Sequence, residues 1–289
     1  MTSLGSIRIA GYHYGLYNQS KSVLVFETGF EDFLKKDHTN TDRSLVFEEA
    51  FIALSVHQTL YQATNNGQLL WEIIEHNGER WFLVYHPENG HLQQQAQYNP
   101  QNHTWTIRSM ASMVEDESVI NPLAYPMAPL IWYVLTTEEP LLLMHASGIV
   151  HNDAGRIFAG FSGVGKSTMA GIWQRNGAQV INDDRLLLKK EKDGSWRMYN
   201  TPMYYRALPA SAPLNAIYLP FHSPQNTHQP IKGALALANL LAFTIHHGYD
   251  AKHLMHHSNI AEDLLHTVPI AKLGVVPTDA IVSYIRAHE

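Results

Sequence analysis

Eight consecutive residues constrain this 289-residue chain more than anything else in it: Gly160-Phe161-Ser162-Gly163-Val164-Gly165-Lys166-Ser167. Gly, four residues, Gly-Lys and Ser or Thr is the spacing of a phosphate-binding loop, and each fixed position has a physical reason. Glycines let backbone N–H groups turn inward around phosphate oxygens, and the helix that follows aims its positive end at the same place. Lys166 adds a mobile cation for β and γ oxygens, and Thr168 continues the polar first turn. Ile157-Phe158-Ala159 reads as a buried strand before the loop, and the helix from Lys166 ends at Asn176-Gly177, a helix-stopping pair. The nucleotide contacts expected are therefore Gly160, Ser162, Gly163, Val164, Gly165, Lys166, Ser167 and Thr168. The Ser167 hydroxyl suits Mg²⁺, a small hard ion that takes oxygen donors.

About twenty residues on, Val180-Ile181 runs as a strand into Asn182-Asp183-Asp184-Arg185. The carboxyl end of a strand in an α/β sheet is where ligands bind, and a magnesium–nucleotide site needs an acidic partner for the metal. One carboxylate can serve that need and the other can take a proton.

Composition narrows the partners. With 20 basic against 26 acidic side chains and no basic run, the net charge of −6 speaks against a nucleic-acid surface. The chain contains no cysteine, which excludes disulfides and thiolate sites. Met1 to Gly15 does not read as a secretory signal, and the apolar stretches Pro122 to Met144 and Gly233 to Ile245 are too broken or too short to cross a bilayer. A cytoplasmic, non-membrane protein is the expectation.

Two domains are expected, with the boundary at 118/119. Residues 1–118 read as β-rich, an antiparallel meander. The clearest hairpin joins Trp71–Glu75 to Arg80–Tyr85 through Asn77-Gly78, and a second turns at Asn99–Asn102. A buried helix is expected over Ala124–Leu135. Beyond it Leu141–Val150, Arg156–Gly160, Ala178–Ile181, Leu186–Lys190 and Trp196–Asn200 alternate with helix in the α/β manner. Ala234 to Ile245, apolar nearly all round, reads as a buried helix or a contact between copies in a homo-oligomer. His246, His247, His253, His256 and His257 crowd one segment. His253 and His257 have a zinc-compatible spacing but no adjacent acid for a hydrolase, so a polar helix face or a loop is expected there.

His145, the loop Gly160–Ser167 and Asp183-Asp184-Arg185, in that order and spacing, resemble the core of the HPr kinase/phosphorylase family. The resemblance covers Leu141 to Pro202, about a fifth of the chain. It implies a phosphoenolpyruvate carboxykinase-like nucleotide domain with a mixed sheet, giving an α+β or α/β fold overall. It also implies Asp183 as the base toward an acceptor hydroxyl and Asp184 with Ser167 as magnesium ligands, with the reverse order of the two acids as the alternative, and His145 setting the charge of the acidic pair. Tyr199-Asn200-Thr201-Pro202-Met203-Tyr204 stands where the family has a Glu-containing glycine-rich signature, and the basic stretch near the C-terminus is missing. Both departures speak against HPr itself as the acceptor.

The expected activity is ATP- and Mg²⁺-dependent transfer of a phosphoryl group to a hydroxyl of a peptide, protein or small alcohol, with the β-rich half as a module that selects the acceptor. The alternatives are a catalytically silent ATP-binding scaffold, against which the intact Asp pair speaks, and a carboxykinase-like lyase, for which no Arg and metal-ligand cluster is present. Arg206 is expected at the surface.

Overall fold

The structure is a computed structural model and describes residues 1–36, 41–202 and 210–289. It is a mixed α+β protein in which two large mixed sheets outweigh the helices. Two compact units divide at Ile131/Trp132, inside the helix Met127–Glu138, whereas the sequence reading places the boundary at 118/119. No described helix is long and apolar enough to cross a membrane.

The first unit is built on a nine-stranded sheet. Asn77 and Gly78 both take positive φ, 54° and 76°, as a tight hairpin turn requires, and join Gln68–His76 to Glu79–Tyr85. The second expected hairpin pairs Leu92–Asn99 with Thr104–Ser109. The sheet is not a pure meander. Arg43–Glu48 inserts between Tyr12–Asn18 and Thr104–Ser109 and is parallel to both. Its side chains alternate, with Leu45 and Phe47 fully buried, so the period-two pattern serves a central strand as readily as a hairpin arm. Phe82 and Tyr98 each pack a ring 4.9 Å from that of Trp105 at the centre of this face.

A short strand, Val23–Leu24, lies in the apolar run of residues 22–26. The helix expected over Ala124–Leu135 begins three residues later, at Met127, because proline at 126 favours an extended residue before it and Pro129 fits only a first turn.

In the second unit the sheet runs, edge to edge, Ser211–Pro213, Trp196–Asn200, Arg185–Lys190, Leu141–His151, Ala154–Ala159, Ala216–His222, Ile270–Val275 and Thr227–Ile231. Gln179–Asn182 pairs with the second half of Leu141–His151. Ala154–Ala159, Ala216–His222 and Ile270–Val275 are parallel neighbours, while the remaining pairs are antiparallel, so the sheet is mixed.

Both faces of its centre are covered, which explains the near-continuous apolar runs. Ile157 and Ala159 point to one side, where Leu142, Met144, Ile217 and the helices Gly233–Phe243 and Ala251–Leu265 pack. Phe158 points to the other, into Ile149, Met169 and Trp173 of the helix Lys166–Arg175 and Ile281 and Ile285 of the helix Ala280–Arg286. Gly155 is required by close approach: a Cβ there would lie 1.7 Å from the Pro213 carbonyl oxygen.

Two further expectations shift. The helix read over Ala234–Ile245 stops at Phe243, and Thr244 and Ile245 instead extend along the neighbouring strand. The histidine segment is no solvated face: His257 is wholly buried and His247 nearly so.

Candidate active site

The strand Ala154–Ala159 delivers the chain into the loop, and Gly163 and Gly165, at φ 80° and 102°, turn it into the helix Lys166–Arg175. A side chain at either position would be strained whatever space surrounds it. Gly160 is needed for a different reason, since a Cβ there would meet Val164 Cγ1 at 2.8 Å. Asn176 caps the helix, and Gly177 leaves it at φ 87°.

Lys166 is buried, and its Nζ donates to the carbonyl oxygens of Gly160 at 2.8 Å and Phe161 at 3.1 Å. The ammonium is thus held at the mouth of the loop by the loop's own backbone. Burial lowers its pKa, and the charge of Asp184 opposes that shift, so these two residues sense each other across the site. Ser162, Ser167 and Thr168 face solvent at the loop and on the first helical turn, where hydroxyls can reach a bound polyphosphate or its metal.

The acidic pair is fixed from two directions. His145 lies opposite Arg185 in the pairing of Leu141–His151 with Arg185–Lys190. His145 Nδ1 is 3.0 Å from Asp184 Oδ1, and Arg185 Nη1 donates to Asp184 Oδ2 at 2.6 Å. The Ala146 amide donates to the Asp184 carbonyl at 3.0 Å and the Ser147 hydroxyl to the Asp183 carbonyl at 3.3 Å. Burial pushes the Asp184 carboxyl up, but the His145 hydrogen bond, Arg185 and Lys166 together outweigh it, so the net shift is downward. Asp184 therefore stays ionised well into acid. Asp183 is half-buried beside it.

From the other side, Asn182 Oδ1 accepts from the amides of Asp184 at 2.7 Å and Arg185 at 3.0 Å, a side-chain-closed turn that sets the direction of both carboxylates. Its amide nitrogen donates to Asn200 Oδ1 and, at 3.3 Å, to the Thr201 carbonyl, while the Thr201 hydroxyl donates to the Arg185 carbonyl at 3.1 Å. Asn182, Asn200 and Thr201 are all buried. Asn200-Thr201, the residues that depart from the expected glycine-rich signature, thus brace the Asp pair. The sequence assigns Asn182 no role, although an Asn just before Asp-Asp is a turn-forming signal that could have flagged it. Met203, Tyr204 and Arg206 lie outside the described residues.

Of the residues singled out in the sequence, His145 and Asp184 are in direct contact, and Lys166 is coupled to Asp184 by charge. All belong to the second unit. No group of three or more His, Cys, Asp or Glu among the described residues is arranged to hold a metal ion by itself. A hydroxyl, a carboxylate and phosphate oxygens, with water, make a suitable magnesium set, and Ser167 and Asp184 are the residues that could supply the first two.

No protein-family model matches the chain, and no curated protein matches it. Among solved structures, the Hpr(Ser) kinase/phosphatase from Coxiella burnetii is similar over 50% of this chain and 95% of its own, at 13% sequence identity and a TM-score of 0.30. That likeness is distant.

Proposed function

We propose that this protein is an ATP- and Mg²⁺-dependent kinase that transfers the γ-phosphoryl group to a hydroxyl acceptor. What supports this reading is a buried Lys166 held on loop carbonyls in the same unit as an Asp184 carboxyl held by His145 and Arg185, with the charge of Asp184 acting on the lysine. A cation for phosphate oxygens and a carboxylate for a metal are the two parts that phosphoryl transfer needs in one place.

In this reading the loop amides and Lys166 hold the triphosphate and balance the charge that develops on its γ oxygens. Ser167 and Asp184 would hold magnesium, which supplies further neutralisation of phosphate charge when bound. Asp183 accepts the proton of the acceptor hydroxyl as its oxygen attacks the γ-phosphorus and the bond to the β-bridging oxygen breaks, leaving ADP. His145 and Arg185 hold Asp184 ionised and in place, and Asn182, Asn200 and Thr201 keep the carboxylates from swinging away.

The test is incubation of the protein with γ-labelled ATP, Mg²⁺ and a panel of hydroxyl acceptors: serine-containing peptides, a protein mixture and small alcohols. Label should pass to one acceptor class faster than to water. Label that stays in ATP, with every acceptor and with water, would reduce the protein to a nucleotide-binding one.

A further inference from the structure

Phe161 holds a place in the loop for which the phosphate-binding spacing asks no particular side chain. It is nevertheless large, apolar and 74% exposed. Its ring meets that of Phe243, the last residue of the helix Gly233–Phe243, edge to face, with centroids 5.2 Å apart and planes at 79°. In this arrangement the positive edge of one ring faces the negative face of the other. Phe243 is partly buried against the core cluster that contains Ala159, Ala236 and Leu240. One ring is thus anchored in the fold, and the other stands against it in solvent.

Lys166 shows which end of the cradle this is. The Phe161 carbonyl accepts from the Lys166 ammonium at 3.1 Å and from the Val164 amide at 3.3 Å. In a loop of this spacing the backbone amides cradle the α and β phosphates, while the lysine reaches the β and γ oxygens. Phe161 therefore belongs to the γ end, where an acceptor hydroxyl has to arrive and from which the nucleobase is farthest. The surface beyond the rings is apolar too. The helix Gly233–Phe243 carries no charged side chain, and Leu235 and Ala242 on it are exposed. A lone exposed apolar residue is ordinary, but an aromatic pair joined to an apolar helix at the mouth of a phosphate loop is a recognition surface.

The openness of the pair decides what covers it. A small alcohol needs a cleft that encloses most of its surface, and a residue that is 74% exposed encloses nothing. A polypeptide can lay side chain and backbone across an open shelf and exclude the water itself. We propose that Phe161 and Phe243 form such a shelf, which takes an apolar side chain close to the accepting serine or threonine of a polypeptide. The proposal rests on the kinase reading of the site and narrows it: the acceptor is a peptide or protein segment in which an apolar residue flanks the hydroxyl.

The test uses the whole chain, γ-labelled ATP, Mg²⁺ and serine peptides that differ in a single residue, Leu, Phe, Asn or Glu, placed at successive positions on either side of the serine. Benzyl alcohol and glycerol serve as small acceptors. At one of these positions kcat/KM for the Leu and Phe peptides should exceed that for the Asn and Glu peptides at least about tenfold, the usual worth of burying such a side chain. In Phe161→Gln and in Phe243→Gln the ratio should fall below about threefold. Each ratio is taken within one protein, so a variant that folds less well or turns over more slowly still gives it, and the wild-type ratio stands without either. Equal rates on apolar and polar peptides in the wild type, or an unchanged ratio in both variants, would overturn the shelf. A platform for the nucleobase would show instead as weaker MgATP binding in both variants with the peptide ratio intact, and a contact between copies of the chain as a lower mass by light scattering with that ratio intact; either result also overturns the proposal. Label that reaches benzyl alcohol or glycerol but no peptide overturns the shelf and leaves the kinase reading standing. Label that reaches no acceptor of any kind overturns the kinase reading, and the shelf with it.

Discussion

Lys166→Ala is expected to lower phosphoryl transfer by about a hundred- to a thousandfold, the usual cost of deleting one preorganised group that faces developing charge in a site shielded from water. The side chain is buried, yet its ammonium donates to the loop carbonyls of Gly160 and Phe161, so it is tied to the loop and not to the apolar clusters of the sheet. Removing it takes a desolvated charge out of the fold. The melting temperature should consequently change little, and the loss should appear in turnover and in triphosphate affinity, with a smaller effect on ADP because the γ oxygens are absent. Lys166→Arg should not rescue it, since a planar fork cannot occupy the place of a compact ammonium held between two carbonyls. Steady-state kinetics beside a thermal melt checks both halves, and turnover in the alanine variant within threefold of wild type would remove the lysine from the mechanism.

Asp183→Asn and Asp184→Asn should fail in different ways. Asparagine nearly keeps the shape of aspartate but neither takes a proton nor carries charge. A general base contributes about a hundred- to ten-thousandfold, so Asp183→Asn should lose that much in rate while nucleotide affinity holds or improves slightly. Asp184 has a different setting. Its two oxygens are bound to His145 and Arg185, and these, with Lys166, hold its carboxyl down against burial. Asp184→Asn leaves the cations without their anion and the metal without a ligand, so magnesium-dependent binding should weaken first. Rates and nucleotide affinities with and without Mg²⁺ separate the two. The reverse pattern would exchange the roles and leave the architecture standing; no effect from either would make the pair an ordinary turn.

The parts of this site that were legible in the sequence are those written in local chemistry. Gly163 and Gly165 stand at positive φ, and Gly177 ends the helix, because glycine tolerates the left-handed region that these turns demand. The Asn77-Gly78 hairpin was readable for the same reason. Pairings between distant residues were not. Arg43–Glu48 alternates as any half-buried strand does, and nothing in that alternation says that it will be parallel to both neighbours. Asn182 meets Asn200 across eighteen positions and His257 meets Thr136, on another helix, across 121, contacts that only the folded chain creates. The histidine segment misled for a physical reason: polar side chains at helical spacing suggest a wet face, but neutral imidazole is accepted into an interior where a charged group is not.

In the proposed function, Gly160 to Ser167 is a triphosphate cradle completed by a metal-binding acid. Isothermal titration of the full chain with ATP, with Mg²⁺ and then with EDTA, addresses it without knowledge of any acceptor. One saturable site per chain is expected in magnesium, at least tenfold weaker in EDTA, and weakened in Lys166→Ala under both conditions. An absence of saturable binding in magnesium, or equal affinity in wild type and Lys166→Ala, would contradict it.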